Sequence, residues 1–293
     1  MGKKQAKQLF LTQAIIFGGK RKTNQIISIL AILLCLFPGI SKAVEEDFIT
    51  SAKIEAFAAK VQKPIMEAGM YEDTFTSSAN RKIYYTLRIP ENMTENMPII
   101  VWLHGANGMT GTWIQNHKGV AVAADNLNEE RFIIIQPQSY GNWFERYTYD
   151  AIVELIDAVA EKTHTGSRNI ILCGSSMGGV GVYAMGQYDA ADKTGIFAGL
   201  CPVSGTCYLD IDDLIRSSVP IYSIYAEYDG YDVKQSMEAV AKRLDGAHHE
   251  NTIKCFEKTH HEAMAVLPFD EAFFDWAYEA YISACKAATA TDE

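Results

Sequence analysis

The sequence predicts an α/β protein: a mostly parallel central sheet with helices on both faces, entered through an antiparallel N-terminal strand pair. Continuous apolar runs carry the first part of this expectation. Ile99-Ile100-Val101-Trp102-Leu103, Phe132-Ile133-Ile134-Ile135 and Ile170-Ile171-Leu172-Cys173 are of the kind buried on both faces of a parallel sheet. They alternate with amphipathic stretches of helical length, the arrangement that covers such a sheet on both sides. A third observation concerns one junction. Gly174-Ser175-Ser176-Met177-Gly178-Gly179 stands between an apolar strand and a helix-like segment carrying Val180, Val182, Tyr183 and Met185. Strand, Gly-x-Ser-x-Gly, helix is the context in which a sharp turn lifts a serine hydroxyl above a sheet.

The chain reads as two parts. Basic residues from Lys3 to Lys22 lead into the apolar run Ile26–Phe37, then Pro38-Gly39 and Ser41-Lys42-Ala43. This is the layout of a secretory signal, residues 1–43, with cleavage expected after Ala43. The run is short for a bilayer span, and the long basic region leaves an uncleaved anchor as the alternative. Residues 44–293 are expected to form a single domain, since a 293-residue chain with 48% hydrophobic residues can bury one sizeable core. Every basic residue up to Lys42 precedes the first acidic one, Glu45, so the body is more acidic than the formal charge of −10 for the whole chain. That balance speaks against a nucleic-acid partner, or a membrane partner beyond the signal. The expected location is secreted or extracytoplasmic; the sequence is silent on oligomeric state.

Within the body, Ile54, Phe57, Ala58 and Val61 recur at helical spacing. Residues 70–77 and 82–89 read as an antiparallel pair turning at Ser78-Ala79-Asn80. The strands at 98–103 and 132–135 follow, separated by a glycine-rich loop. Ile152, Leu155, Ile156 and Val159 form one helical stripe leading to the strand before Ser176. Beyond it come a helix to about Tyr188 and strands near Phe197–Cys201 and over Ile221–Ala226. A helix over Val233–Leu244, a strand over Thr252–Phe256 and a final helix with Phe273, Trp276, Ala277, Ala280 and Tyr281 on one face complete the chain. Cys173 and Cys255 read as small core residues. Cys201 and Cys207 flank a Ser-Gly turn, and a bridge between them is left open.

A serine hydroxyl needs a base to take its proton and a third group to hold that base. The partners are expected in the chain order Ser, acid, His, at the C-terminal ends of later strands. Asp229, just past the strand Ile221–Ala226, is the preferred acid, with Glu227 and Asp232 as rivals. His260 and His261 follow the last strand. His261 is preferred because Met264 and the apolar residues after it can pack one turn below; His260 is the alternative. His248 and His249 stand at the other end of that strand and read as loop residues. The developing oxyanion needs two backbone donors. They are expected to be the N–H of Met177 and that of Ala106, in the loop His104–Gly108, with Asn107 as second choice. His104 is expected to tie that loop together. Trp113 and Trp143, with Phe144, Tyr140 and Tyr147, fall in loops that reach the strand C-terminal ends, and suit a phenolic acyl group or a sugar face. No His/Cys spacing suggests a metal, and no organic cofactor is implied.

These residues carry a resemblance. The chain resembles the α/β-hydrolase superfamily, and within it secreted serine esterases related to prolyl oligopeptidase, polyhydroxybutyrate depolymerases and feruloyl esterases. The matching blocks are Val101-Trp102-Leu103-His104-Gly105, Gly174–Gly181, Phe197–Gly205 and Ala226–Val233, within roughly residues 70–285. The resemblance implies an acid at Asp229 and a base just before Glu262–Trp276. In such families the base usually follows a glycine, whereas here Thr259 or His260 precedes it, so His260 and His261 both stay open. The function implied is cleavage of a carboxylic ester through a Ser-His-Asp triad and an acyl-enzyme, on a small-molecule or polysaccharide-linked ester such as a feruloyl or acetyl ester. A peptidase of the same fold and a non-catalytic binding module are the competing readings.

Overall fold

The computed structural model describes residues 66–106, 119–139 and 141–290. The signal-like segment, the helix expected around Ile54–Val61, and Asn107, Trp113 and Tyr140 lie outside the described residues. Eight strands form one sheet: β1 (Gly69–Thr76), β2 (Lys82–Ile89), β3 (Ile99–Leu103), β4 (Ile133–Pro137), β5 (Ile170–Ser175), β6 (Phe197–Val203), β7 (Ile221–Ala226) and β8 (Asn251–Phe256). Their order is β1-β2-β4-β3-β5-β6-β7-β8. β1 and β2 are antiparallel to each other, β2 is antiparallel to β4, and every pairing from β4 to β8 is parallel. Among the described residues the helices are α1 (Val120–Leu127), α2 (Arg146–Thr163), α3 (Met177–Asp192), α4 (Asp212–Arg216), α5 (Tyr231–Gly246) and α6 (Glu271–Ala290).

Successive side chains of a strand point to opposite faces, and the apolar runs feed two cores. Ile99, Val101 and Leu103 of β3 join Ile133, Ile135, Ile170 and Leu172 on the face covered by α2, α3 and α5. Ile100 and Trp102 join Ile134, Ile171 and Cys173 on the face covered by α1 and α6. Helices α1, α2 and α3 each stop at a left-handed residue, Asn128, His164 and Lys193, whose N–H turns back to carbonyls of the last turn.

The final helix buries Phe273, Phe274, Ala277 and Ala280. Its contact stripe is therefore rotated toward Phe274 relative to the expected one, and the Tyr281 hydroxyl instead donates to the Asn96 carbonyl at the margin. Two short helices, α1 and α4, have no counterpart in the sequence reading. Cys255 is a correction: β8 is the edge strand, and Cys255 is exposed rather than a core residue. Cys201 and Cys207 are both unbridged, Cys201 buried in β6 and Cys207 in the loop beyond it. Their separation in environment follows from the strand ending at Val203.

One buried carboxylate ties α3 to β6. Asp189, in the last turn of α3, accepts from the N–H groups of Ile196 (2.9 Å) and Phe197 (3.3 Å) and from the Thr194 hydroxyl. Asp189→Ala would leave the buried N–H groups of Ile196 and Phe197 without this acceptor, and about 3 kcal/mol of stability should be lost. Chemical denaturation of the variant beside the parent checks this; a difference under about 1 kcal/mol would refute the role given to the carboxylate.

The strand order reverses direction between β3 and β5: β4 lies to one side of β3, and β5 to β8 to the other. A sheet with such a reversal leaves a crevice beyond the C-terminal ends of the strands at that point. The residues that leave β3 and β5 there are His104-Gly105-Ala106 and Ser176.

Candidate active site

Ser176 sits between β5 and α3 with φ 58° and ψ −116°, a strained conformation for a residue with a side chain. Its N–H donates to the Val203 carbonyl at 2.8 Å, and its carbonyl accepts from the Val180 N–H at 3.1 Å. The turn is possible because Gly178 lies directly on the end of β3. A Cβ there would stand 1.9 Å from the Leu103 carbonyl oxygen.

The acid and the imidazole come from the last two strands of the sheet, β7 and its edge neighbour β8. β7 runs out into Glu227-Tyr228-Asp229, and β8 into a bend that ends in a 3-10 turn, His261–Ala265. The two loops are stitched to each other by backbone bonds: Glu227 N–H to Phe256 O (2.9 Å) and Tyr228 N–H to Thr259 O (3.0 Å). The Lys258 N–H adds a bond to the Glu227 carboxylate at 2.6 Å. Met264 is fully buried among the aromatic residues of α6 and seats the 3-10 turn.

The outcome is a continuous line of hydrogen bonds. His261 Nε2 is 2.9 Å from Ser176 Oγ, and His261 Nδ1 is 2.6 Å from Asp229 Oδ1. The other carboxylate oxygen, Oδ2, accepts from the Ser204 hydroxyl (2.6 Å) and the Ala226 N–H (2.8 Å). Burial disfavours the Asp229 anion, but the bonds from His261, Ser204 and Ala226 overcome it and hold the carboxyl below the usual carboxylate range. The bond to Asp229 raises His261 above its ordinary value, against the effect of its partial burial.

Of the two candidate histidines, His261 faces the serine. His260 is exposed, with its ring 4.8 Å from that of Tyr228. Of the rival carboxylates, Glu227 is spent on the Lys258 N–H, and Asp232 is exposed in the first turn of α5.

On the β3 side, Gly105 passes close to the nucleophile: a Cβ there would be 3.3 Å from Ser176 Cβ. His104 ties this segment down. Its Nδ1 bonds the Gly105 carbonyl at 2.7 Å and its Nε2 accepts from the Ser139 N–H at 2.9 Å, which assigns the proton to Nδ1. Burial lowers the His104 pKa, consistent with a neutral ring. Met177 opens α3, so its N–H has no carbonyl within the helix to bond. Ala106 follows Gly105 and is exposed.

Trp143 has a different place from the one expected. Only 1% exposed, it cannot present a face to a ligand. Its indole N–H donates to the His104 carbonyl at 2.8 Å, and its ring meets that of His104 edge-on at 5.0 Å. It braces the loop after β3 from beneath. Tyr147 stacks under the Arg81 guanidinium at 3.6 Å, and Phe144 remains partly exposed. Ser204 and Tyr228 were not singled out by the sequence reading as site residues. Ser204 was visible only as part of a Ser-Gly turn after a strand. Among the described residues, no three His, Cys, Asp or Glu side chains gather as a metal site requires.

A sheet in this order, with a serine on the sharp turn after β5, defines a hydrolase of the α/β-hydrolase fold. Comparison with known proteins agrees. Residues 85–267 match the Dienelactone hydrolase family (DLH); the chain belongs to that family and is a carboxylic ester hydrolase. Among solved structures, a thermostable esterase is similar over 72% of this chain and 62% of its own, with 20% identity and a TM-score of 0.58. A ferulic acid esterase is similar over 68% of this chain and 96% of its own, with 17% identity and a TM-score of 0.53. The poly(3-hydroxybutyrate) depolymerase LpqC from Bordetella parapertussis is similar over 68% and 87%, with 14% identity and a TM-score of 0.51. No curated protein matches the sequence.

Proposed function

We propose that this protein is a serine esterase that works through an acyl-enzyme, with Ser176 as nucleophile, His261 as general base and acid, and Asp229 as the group that orients and stabilises the imidazole. The observation that carries the reading is the line of bonds from Ser176 Oγ through His261 to Asp229, at 2.9 and 2.6 Å. His261 Nε2 takes the proton as Ser176 Oγ attacks the ester carbonyl. The negative charge that develops on the carbonyl oxygen is received by the N–H groups of Met177 and Ala106. The imidazolium then protonates the departing alcohol, and water repeats the cycle on the acyl group. The test is labelling with a fluorophosphonate followed by peptide mass mapping: an adduct on Ser176 is expected, and an adduct elsewhere or none would refute the assignment.

The natural substrate we infer to be a feruloyl or acetyl ester of a polysaccharide. Support comes from Phe144 and Tyr228, which are exposed at 38% and 51%, and from the similarity in fold to a ferulic acid esterase. A panel varying acyl and alcohol groups separately, with matched amides, tests this; faster turnover of the amides would favour a peptidase instead. We also infer export through residues 1–43, for which the basic, apolar and small-residue order of the sequence is the support. A mature N-terminus at Val44, read by mass spectrometry, is the expected result.

The state of His261 sets a pH dependence. The base must be neutral to accept a proton, and its pKa is raised above 6.5 by Asp229. The rate constant kcat/KM is therefore expected to climb as pH rises through a value above 6.5 and then level off. A limb centred at or below the ordinary histidine value would contradict the pairing with Asp229.

A further inference from the structure

We propose that Ser204 is a positioning residue for this chemistry, acting on Asp229 and through it on His261; the proposal rests on the triad reading given above. Ser204 is the first residue past β6 and is 2% exposed. Its hydroxyl donates to Asp229 Oδ2 at 2.6 Å, and the Ala226 N–H donates to the same oxygen at 2.8 Å. An ionised carboxylate only accepts, so the hydroxyl proton is committed to it. With two donors on Oδ2, the carboxylate is held so that Oδ1 faces His261 Nδ1 at 2.6 Å. The orientation of the acid is settled before a substrate arrives.

The backbone at this position supports a role for the hydroxyl. Ser204 has φ 48°, in the left-handed region that glycine adopts more readily. Its N–H donates to the Ile224 carbonyl at 2.8 Å, which anchors the conformation on β7. Glycine would fit the backbone with less strain but would offer Asp229 nothing. The flanking residues reach the nucleophile. The Val203 carbonyl accepts from the Ser176 N–H at 2.8 Å, and a Cβ added to Gly205 would stand 2.5 Å from the Gly179 carbonyl carbon in the first turn of α3. Three consecutive residues therefore touch the amide of the nucleophile, the acid, and the helix that follows the nucleophile.

The test measures kcat and KM for p-nitrophenyl acetate in Ser204→Ala, Ser204→Gly, Asp229→Ala and the double variant Ser204→Ala/Asp229→Ala, with Ser176→Ala in the same series. Ser204→Ala is expected to lose about tenfold in kcat, the scale of one hydrogen bond to a charged group, with KM within about twofold of the parent. Ser204→Gly, relieved of backbone strain, should fold at least as stably as Ser204→Ala and remain as slow. If the hydroxyl acts only through the carboxylate, the double variant is no slower than Asp229→Ala alone. Parental kcat in either single Ser204 variant would overturn the proposal. So would a double variant slowed by the same factor as the single, which would mark a general structural role. Should Ser204→Ala fail to fold, Ser204→Gly carries the measurement. Full activity in Ser176→Ala would instead overturn the triad reading, and none of the Ser204 outcomes does that.

Discussion

Ser176→Ala is expected to lower kcat for p-nitrophenyl acetate by about 10⁴-fold or more, the scale seen when the nucleophile of a serine hydrolase is removed. The physical reason lies in the distances: among the described residues, the Ser176 hydroxyl is the group hydrogen-bonded to His261 Nε2, at 2.9 Å. Alanine keeps the β-carbon and the backbone at φ 58°, so neither the strain of the turn nor its bond to Val203 changes. Stability should therefore stay near that of the parent while turnover disappears. Steady-state kinetics and a thermal melt on the same preparation check both halves. Retention of more than about a tenth of the parental kcat in a folded variant would show that another group does the chemistry.

Gly178→Ala is expected to destabilise the protein by more than about 4 kcal/mol, well beyond an ordinary point mutation. Helix propensity predicts the opposite sign, because alanine in place of glycine inside a helix ordinarily gains about 1 kcal/mol. Packing decides. The added methyl would lie 1.9 Å from the Leu103 carbonyl oxygen and 2.6 Å from its carbon, and both are backbone atoms of a central strand that no rotamer change can move. Relief requires the start of α3 to lift from the end of β3, which displaces Ser176 relative to Gly105. A fall in Tm of about 10 °C or more, with loss of esterase activity, is the expected result. A variant melting within about 2 °C of the parent would mean that this contact is far looser than its geometry indicates.

How much of this was legible beforehand depends on how local each signal is. Ser176 and Met177 are announced by consecutive residues, because strand, turn and helix must all appear within about a dozen positions. Asp229 and the two late histidines were reachable only by a rule of order: they had to follow strands later in the chain. That rule cannot choose between His260 and His261, since adjacent residues entering a turn point in different directions. The choice is made by Met264, whose burial seats the turn. Trp143 shows the reverse difficulty. An aromatic residue in a loop near the strand ends reads equally well as a platform or as packing. What places it beneath His104 is the room left by Gly181, where a Cβ would stand 2.3 Å from Trp143 Cβ. Ser204 was hidden for another reason. Its partner lies 25 positions further on, and its φ of 48° is a backbone conformation that no local sequence pattern announces. Cys255 was misplaced because an apolar neighbourhood in sequence does not reveal which strand lies at the border of a sheet.

The pairing of β5 with β6, β6 with β7 and β7 with β8 has a geometric consequence. Neighbouring strands are about 4.8 Å apart, so the strand that delivers the imidazole lies roughly 14 Å from the one that delivers the hydroxyl. The gap is closed by the short stretch between Phe256 and His261 doubling back over the top of β7 and β6. Lengthening or shortening that stretch by a single residue would change where the imidazole lands while leaving every strand in register.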